Sequence, residues 1–178
     1  FSQLTDMEDM GLQNNLLSGN IPPALCEMSQ VMYLILGHNM LVGTIPSCFG
    51  QLSYMNDLEL HDNLLEGTLP ETLCNLQGLE FLYLFGTKLS GTIPACFGGG
   101  SSFPILQALL LHDNDLEGEL PQEWSLPLLS SVTLSNNPRL HGTLPASIFT
   151  QRHSSSSGVA AGVSFSVEAP NPNLRAVV

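Results

Sequence analysis

Residues 55–70 read MNDLELHDNLLEGTLP, and the rest of the chain is largely variations on that phrase. Its closing Gly-x-[Ile/Leu]-Pro step recurs at Pro22, Pro46, Pro70, Pro94, Pro121 and Pro145, with spacings of 24, 24, 24, 27 and 24 residues. A fixed period in that range belongs to units that cannot bury an apolar face alone and must stack on their neighbours. Aligned on its asparagine, the phrase gives Asn15, Asn39, Asn63, Thr87, Asn114 and Asn137. The inner aliphatic pair of each unit, such as Leu58 and Leu60, is spaced by two, as in a strand with one buried face. Each unit is therefore expected to contribute one short strand, and function is to be sought on a repeating surface instead of in a pocket.

The full phrase L-x-x-L-x-L-x-x-N-x-L-x-G-x-[I/L]-P covers residues 4 to 149. It resembles the plant-type leucine-rich repeat found in the ectodomains of receptor-like kinases and receptor-like proteins and in polygalacturonase-inhibiting proteins. The resemblance implies an α/β fold class: a leucine-rich-repeat solenoid of about six repeats of 24 residues, coiled right-handed. A parallel β-sheet would line its concave face, and 3₁₀ segments or short turns its convex face. On this reading residues 1–149 are the repeat domain, truncated at its N-terminus and lacking an N-cap. Residues 150–178 are a Ser-rich linker and a tail, for which two readings stand: a disordered end, or a capping strand built on the alternation of Val163, Phe165 and Val167.

Elementary physics accounts for the same frame. Stacked coils bury tiers of leucine, each worth roughly 1.5–3 kcal/mol when fully buried. An asparagine after the strand can donate to and accept from backbone groups left unpaired at the turn. Thr87 can do less there, so the fourth coil is expected to be looser. Trp124 takes the position held by Leu25, Phe49, Leu73 and Phe97 in other units, which makes core packing its expected role. Gly98 to Ser102 carry three extra residues, an expected convex bulge.

Four Lys or Arg stand against sixteen Asp or Glu, a net charge of −12. That balance excludes nucleic acid and disfavours an anionic membrane surface, since both select basic patches. No run of 18 apolar residues occurs, so no membrane insertion by this segment is expected, although a longer membrane-anchored chain could contain it.

Cys26 and Cys74 lie four residues after their prolines, whereas Cys48 and Cys96 lie two after theirs. Adjacent coils stack about 4.8 Å apart, within reach of disulfide geometry. The expected pairs are Cys26–Cys48 and Cys74–Cys96, each closing a loop of about 22 residues and worth about 3 kcal/mol. The other reading is four free thiols packed as small hydrophobes on the convex side. The spacing lacks the C-x-x-C knuckle of a zinc site.

Period two also selects the outward side chains of the strands. Tyr33, Ile35, Phe81, Tyr83, Phe85 and Leu110 form an expected apolar strip, with Asp57, Glu59, Asp62 and Asp113 beside it and His61 and His112 among them. Contiguous apolar patches mark interaction sites, and aromatic residues anchor interfaces. Strand propensity alone also recruits such residues, and a segment outside this stretch could cover them. His61 and His112 fall two coils apart, roughly 10 Å, with Phe85 between them, which is awkward for a shared ion; no metal and no cofactor is expected. Asp57 and Glu59, about 7 Å apart on one face, have the separation of an inverting glycosidase pair. An open acidic sheet is expected neither to raise a carboxylate pKa nor to exclude water, so no catalytic residues are assigned. Thr44, Thr68, Thr92 and Thr143 form a broken ladder, the basis of a less favoured ice-binding reading.

The sequence thus points to a non-enzymatic recognition module of a secreted or cell-surface protein, in signalling or defence. Its partner would be a protein or peptide bound on the concave sheet through Tyr33, Ile35, Asp57, Glu59, His61, Phe81, Tyr83, Phe85, Leu110 and His112. The alternative is a soluble inhibitor of a cell-wall-degrading enzyme of the polygalacturonase type.

Overall fold

A computed structural model describes residues 4–98 and 101–144, together with the backbone of two further strands at 164–166 and 174–176. Each coil carries two strands, not the one expected. They are β1 (Asp9–Gly11) and β2 (Ser18–Asn20), β3 (Tyr33–Ile35) and β4 (Met40–Gly43), β5 (Asp57–Glu59) and β6 (Leu64–Thr68) in the first three coils. The next three hold β7 (Phe81–Tyr83) and β8 (Lys88–Thr92), β9 (Ala108–Leu110) and β10 (Asp115–Glu119), β11 (Ser131–Thr133) and β12 (Arg139–Leu144). The last described strands are β13 (Ser164–Ser166) and β14 (Leu174–Ala176). Odd-numbered strands assemble one parallel sheet in the order β1-β3-β5-β7-β9-β11-β13, and even-numbered strands a second, β14-β12-β10-β8-β6-β4-β2. The first is the expected concave sheet. Four 3₁₀ segments, Pro23–Glu27, Ser47–Gln51, Glu71–Asn75 and Ala95–Gly98, line the opposite side.

The second sheet begins just after the asparagine and ends before the proline of each Gly-x-[Ile/Leu]-Pro step. Its glycines take left-handed backbone, as Gly67 does at φ 83°, a conformation that costs an L side chain and suits glycine. A Cβ on Gly67 would also strike the Thr44 methyl of the preceding coil, and the same relation links Gly91 to Thr68 and Gly118 to Thr92. The threonine ladder therefore packs its methyls over the next coil's glycine. Proline then closes the strand, since its ring has no N–H for another ladder bond.

The core is the leucine frame read from the sequence. Leu58, Leu60, Leu65, Leu82, Leu84, Leu89, Leu109, Leu111 and Leu116 have no solvent exposure. Leu12 and Leu17 of the first coil are exposed, because among the described residues no coil stacks on that side. Trp124 is fully buried and donates its indole N–H to the Pro121 carbonyl at 2.9 Å. Just after the insertion, Phe103 is buried with a left-handed φ of 52° and sets its ring edge-on to Phe97 at 5.2 Å.

Asparagines tie the coils together. The Asn63 amide oxygen accepts from the Leu41 N–H at 3.0 Å, while its NH₂ donates to the carbonyls of Leu36 and Leu60 at 3.0 Å each. Asn39, Asn114 and Asn137 repeat this bridge to the coil before them. Thr87 donates only within its own coil, to the Leu84 carbonyl, or forward to Asn114. Its bridge back to Leu60 and Leu65 is missing.

The convex side alternates its fastenings. Cys26–Cys48 and Cys74–Cys96 are disulfide-bonded, with Cα–Cα distances of 5.8 and 6.1 Å and a separation of 22 residues each. This is the pairing anticipated from the cysteine spacing. Between the second and third coils, where no disulfide falls, Gly50 lies so close to the Thr72 carbonyl that a Cβ would collide with it, and the Thr72 hydroxyl donates to the Ser47 carbonyl at 2.6 Å. Between the fourth and fifth, Gly98 abuts the Glu123 carbonyl in the same way and accepts from the Ser125 N–H at 2.6 Å. Glycine contacts fill the interfaces that the two disulfides leave open.

Candidate functional site

Parallel register sorts the outward side chains of the concave sheet into rows. Tyr33, Asp57 and Phe81 are register partners in the lower row. Ile35, Glu59, Tyr83, Leu110 and Thr133 form the middle one. One step further, where the strands give way to the turn, His61, Phe85 and His112 make the upper row. Tyr33 is exposed, and the other nine residues of the expected site are half-buried. Leu82 and Leu84 are wholly buried while Tyr83 and Phe85 reach solvent, which fixes the register.

The strip is less open than the sequence suggests. Phe85 is sandwiched between two imidazoles, its ring 4.5 Å from His61 and 4.4 Å from His112, with interplanar angles of 13° and 10°. Both faces of Phe85 are covered, so only its edge is available. Tyr83 sets its ring edgewise to Phe81 at 6.2 Å and to His61 at 6.5 Å. The His112 Nδ1 lies 2.7 Å from the Thr133 hydroxyl.

Asp57 departs furthest from expectation. Burial is the main cause that pushes its carboxyl up to about 6, reinforced by the negative charges of Glu59 and Glu80 and opposed by His61. One of its oxygens, Oδ1, is buried without a hydrogen-bond partner among the described residues. Neighbouring side chains on the crowded sheet remove water that an open surface would supply, so the expectation that the sheet leaves carboxylates unperturbed is wrong at this position. The same burial, with Asp57 and Glu59 nearby, raises the Tyr83 hydroxyl pKa. Glu80, the third carboxylate of the group, accepts from the Gln107 side chain at 2.6 Å.

Sequence reasoning placed Asp62 beside the strip but assigned neither it nor His38 to the site. Both sit at the turn that follows the concave strand, with φ of 53° and 51°. Asn14, Gly86, Asp113 and Asn136 hold the equivalent place with φ between 54° and 63°, and asparagine, aspartate and histidine are the non-glycine residues that tolerate this region best. The turn brings His38 Nδ1 within 3.3 Å of Asp62 Oδ2, and His61 Nδ1 within 3.0 Å of the same oxygen. The signal lay in the recurring residue before each asparagine, whose backbone conformation is invisible in the hydrophobic period.

The leucine rich repeat family matches residues 29–89. Among solved structures the chain is similar to a TDR receptor, at 31% identity and a TM-score of 0.78, covering 82% of this chain and 25% of that one. It is similar to the ectodomain of the Arabidopsis receptor kinase HAESA in complex with an N-terminally extended IDA peptide hormone, at 29% identity and a TM-score of 0.79, covering 84% and 25%. A pollen receptor kinase 3 matches at 31% identity and a TM-score of 0.68, covering 79% and 66%. The chain spans about a quarter of the length of the first two. No curated protein matches it.

Proposed function

We infer that this chain, a leucine-rich-repeat protein of the plant type, is a peptide-recognition segment of a secreted or cell-surface protein that binds through its concave sheet. The observation that carries the reading is the contiguous surface made by Tyr33, Ile35, Phe81, Tyr83 and Leu110 around the carboxylates of Asp57, Glu59 and Glu80. Aromatic side chains offer large contact area at small entropic cost, and desolvated carboxylates favour a cation placed between them. The matching occupant is an extended peptide with alternating apolar and basic side chains. Neighbours of similar fold include the plant peptide hormone receptor RGFR1 in complex with RGF2 and the receptor kinase HAESA in complex with the peptide hormone IDA, and this supports the class of ligand. Two disulfides fit an oxidising compartment, and among the described residues no helix is long and apolar enough to cross a membrane. Residues 1–149 act as one repeat domain in this reading, and the role is non-catalytic.

The test is selection of peptides on the immobilised chain, followed by affinity measurements on variants. Tyr83→Ala and Asp57→Asn are expected to weaken the selected basic-apolar peptides at least about tenfold with unchanged circular dichroism. Peptides that bind both variants as tightly as the parent would place recognition elsewhere. Inhibition of a polygalacturonase by the parent chain would favour the inhibitor reading instead.

A further inference from the structure

We propose that His38, His61 and Asp62 form a binding site for a single Zn²⁺ ion at the upper edge of the concave sheet. One ligand atom from each lies within 4.8 Å of the others. Two edges of the triangle are already close, 3.3 Å from His38 Nδ1 and 3.0 Å from His61 Nδ1 to the shared Asp62 Oδ2. Ligands held about 2.0–2.1 Å from a tetrahedral zinc stand roughly 3.3 Å from one another, so these edges match with small side-chain adjustments. His38 and Asp62 sit at the rim of the sheet, which leaves a fourth position for water or for a ligand group.

Three features set this cluster apart from a chance meeting of polar side chains. First, the His61 Nε2, on the far side of the ring from Asp62, lies 3.4 Å from Glu59 Oε2. A carboxylate on the distal nitrogen holds the tautomer in which the other nitrogen is free to ligate, as second-sphere carboxylates do at zinc sites. Second, Phe85 stacked on the His61 ring, and His38 edge-on to it at 4.8 Å and 87°, fix the plane of that ring. Third, two glycines make the space: a Cβ on Gly37 would enter the His61 ring, and one on Gly86 would strike the Asp62 carboxylate. Two imidazoles and one carboxylate select a borderline ion such as zinc over calcium or magnesium, which prefer all-oxygen shells. The net charge of −12 raises the local concentration of any cation.

Calorimetric titration of the oxidised chain with ZnCl₂ at about pH 7.5 tests the site without any peptide, so its outcome is separate from that of the recognition reading. One equivalent is expected to bind. His38→Asn and Asp62→Asn are the informative variants, because asparagine already occupies this turn at Asn14 and Asn136 and keeps the backbone. Each is expected to weaken zinc at least about tenfold, and Glu59→Gln by a similar factor through the ring it orients, while His141→Ala, on β12 of the other sheet, leaves it unchanged. Gly37→Ala, which carries no ligand, is expected to lower affinity by displacing His61. Absence of saturable binding, or one equivalent that survives both His38→Asn and Asp62→Asn, would overturn the site.

Discussion

Asp57 shows how far a single side chain can depart from what its position suggests. It stands on a strand face that sequence reading treats as solvent-washed, yet its carboxyl is raised to about 6 from 3.8. A folded-state value above the unfolded one means that the native protein binds the proton more tightly. The associated stability is fully present below about pH 4 and is lost as pH rises through about 6. Asp57→Asn removes both the charge and its titration. The variant is therefore expected to exceed the parent in stability at pH 7.5, by about 1 kcal/mol once solvent screening of a half-open site is allowed for. The difference should vanish near pH 4. Paired denaturant melts across this range check it, and a difference independent of pH would show that Asp57 titrates normally.

At the scale of the element, the coil is the unit, and the gap in its asparagine series was legible before any coordinates. Thr87 breaks the asparagine series, and the structure shows what that costs: the bonds that Asn63 sends back to Leu36 and Leu41 have no counterpart from Thr87 to Leu60 and Leu65. Thr87→Asn is expected to restore the bridge between the third and fourth coils and stabilise the protein by about 1 kcal/mol, the typical net worth of an intramolecular hydrogen bond. Thermal melts give the sign, and slower amide exchange at Leu65 would locate the gain. Destabilisation would mean that the buried site has no room for the larger amide. The second strand of each coil was not legible in the same way. Its residues, for instance Leu64–Thr68, contain a left-handed glycine and only one buried leucine. The period-two pattern that reveals β5 is therefore absent from β6.

Across the whole molecule, stacking turns isolated side chains into rows and a charge imbalance into a field. With sixteen acidic against four basic residues, a cationic peptide would be drawn to the concave sheet from a distance. Its association rate is expected to fall several-fold between about 50 and 300 mM salt, with a smaller change in dissociation. Stopped-flow or surface kinetics measure both, and an association rate indifferent to salt would remove electrostatic steering from the recognition reading.

The repeat length, the buried leucine frame and the outward register were all determined by the sequence itself, which also named the cysteine pairs but left free thiols as the other reading. Each follows from a short-range rule, period two within a strand and a constant rise between coils, that repeats often enough to be read without coordinates. Tertiary structure alone decided the second sheet, the face-to-face stacking of Phe85 on His61 and His112, the raised carboxyl of Asp57 and the meeting of His38 with Asp62. These depend on contacts between neighbouring coils and on left-handed turns. A linear pattern records which face a side chain takes, but not how closely the next coil's ring or carboxylate will lie beside it.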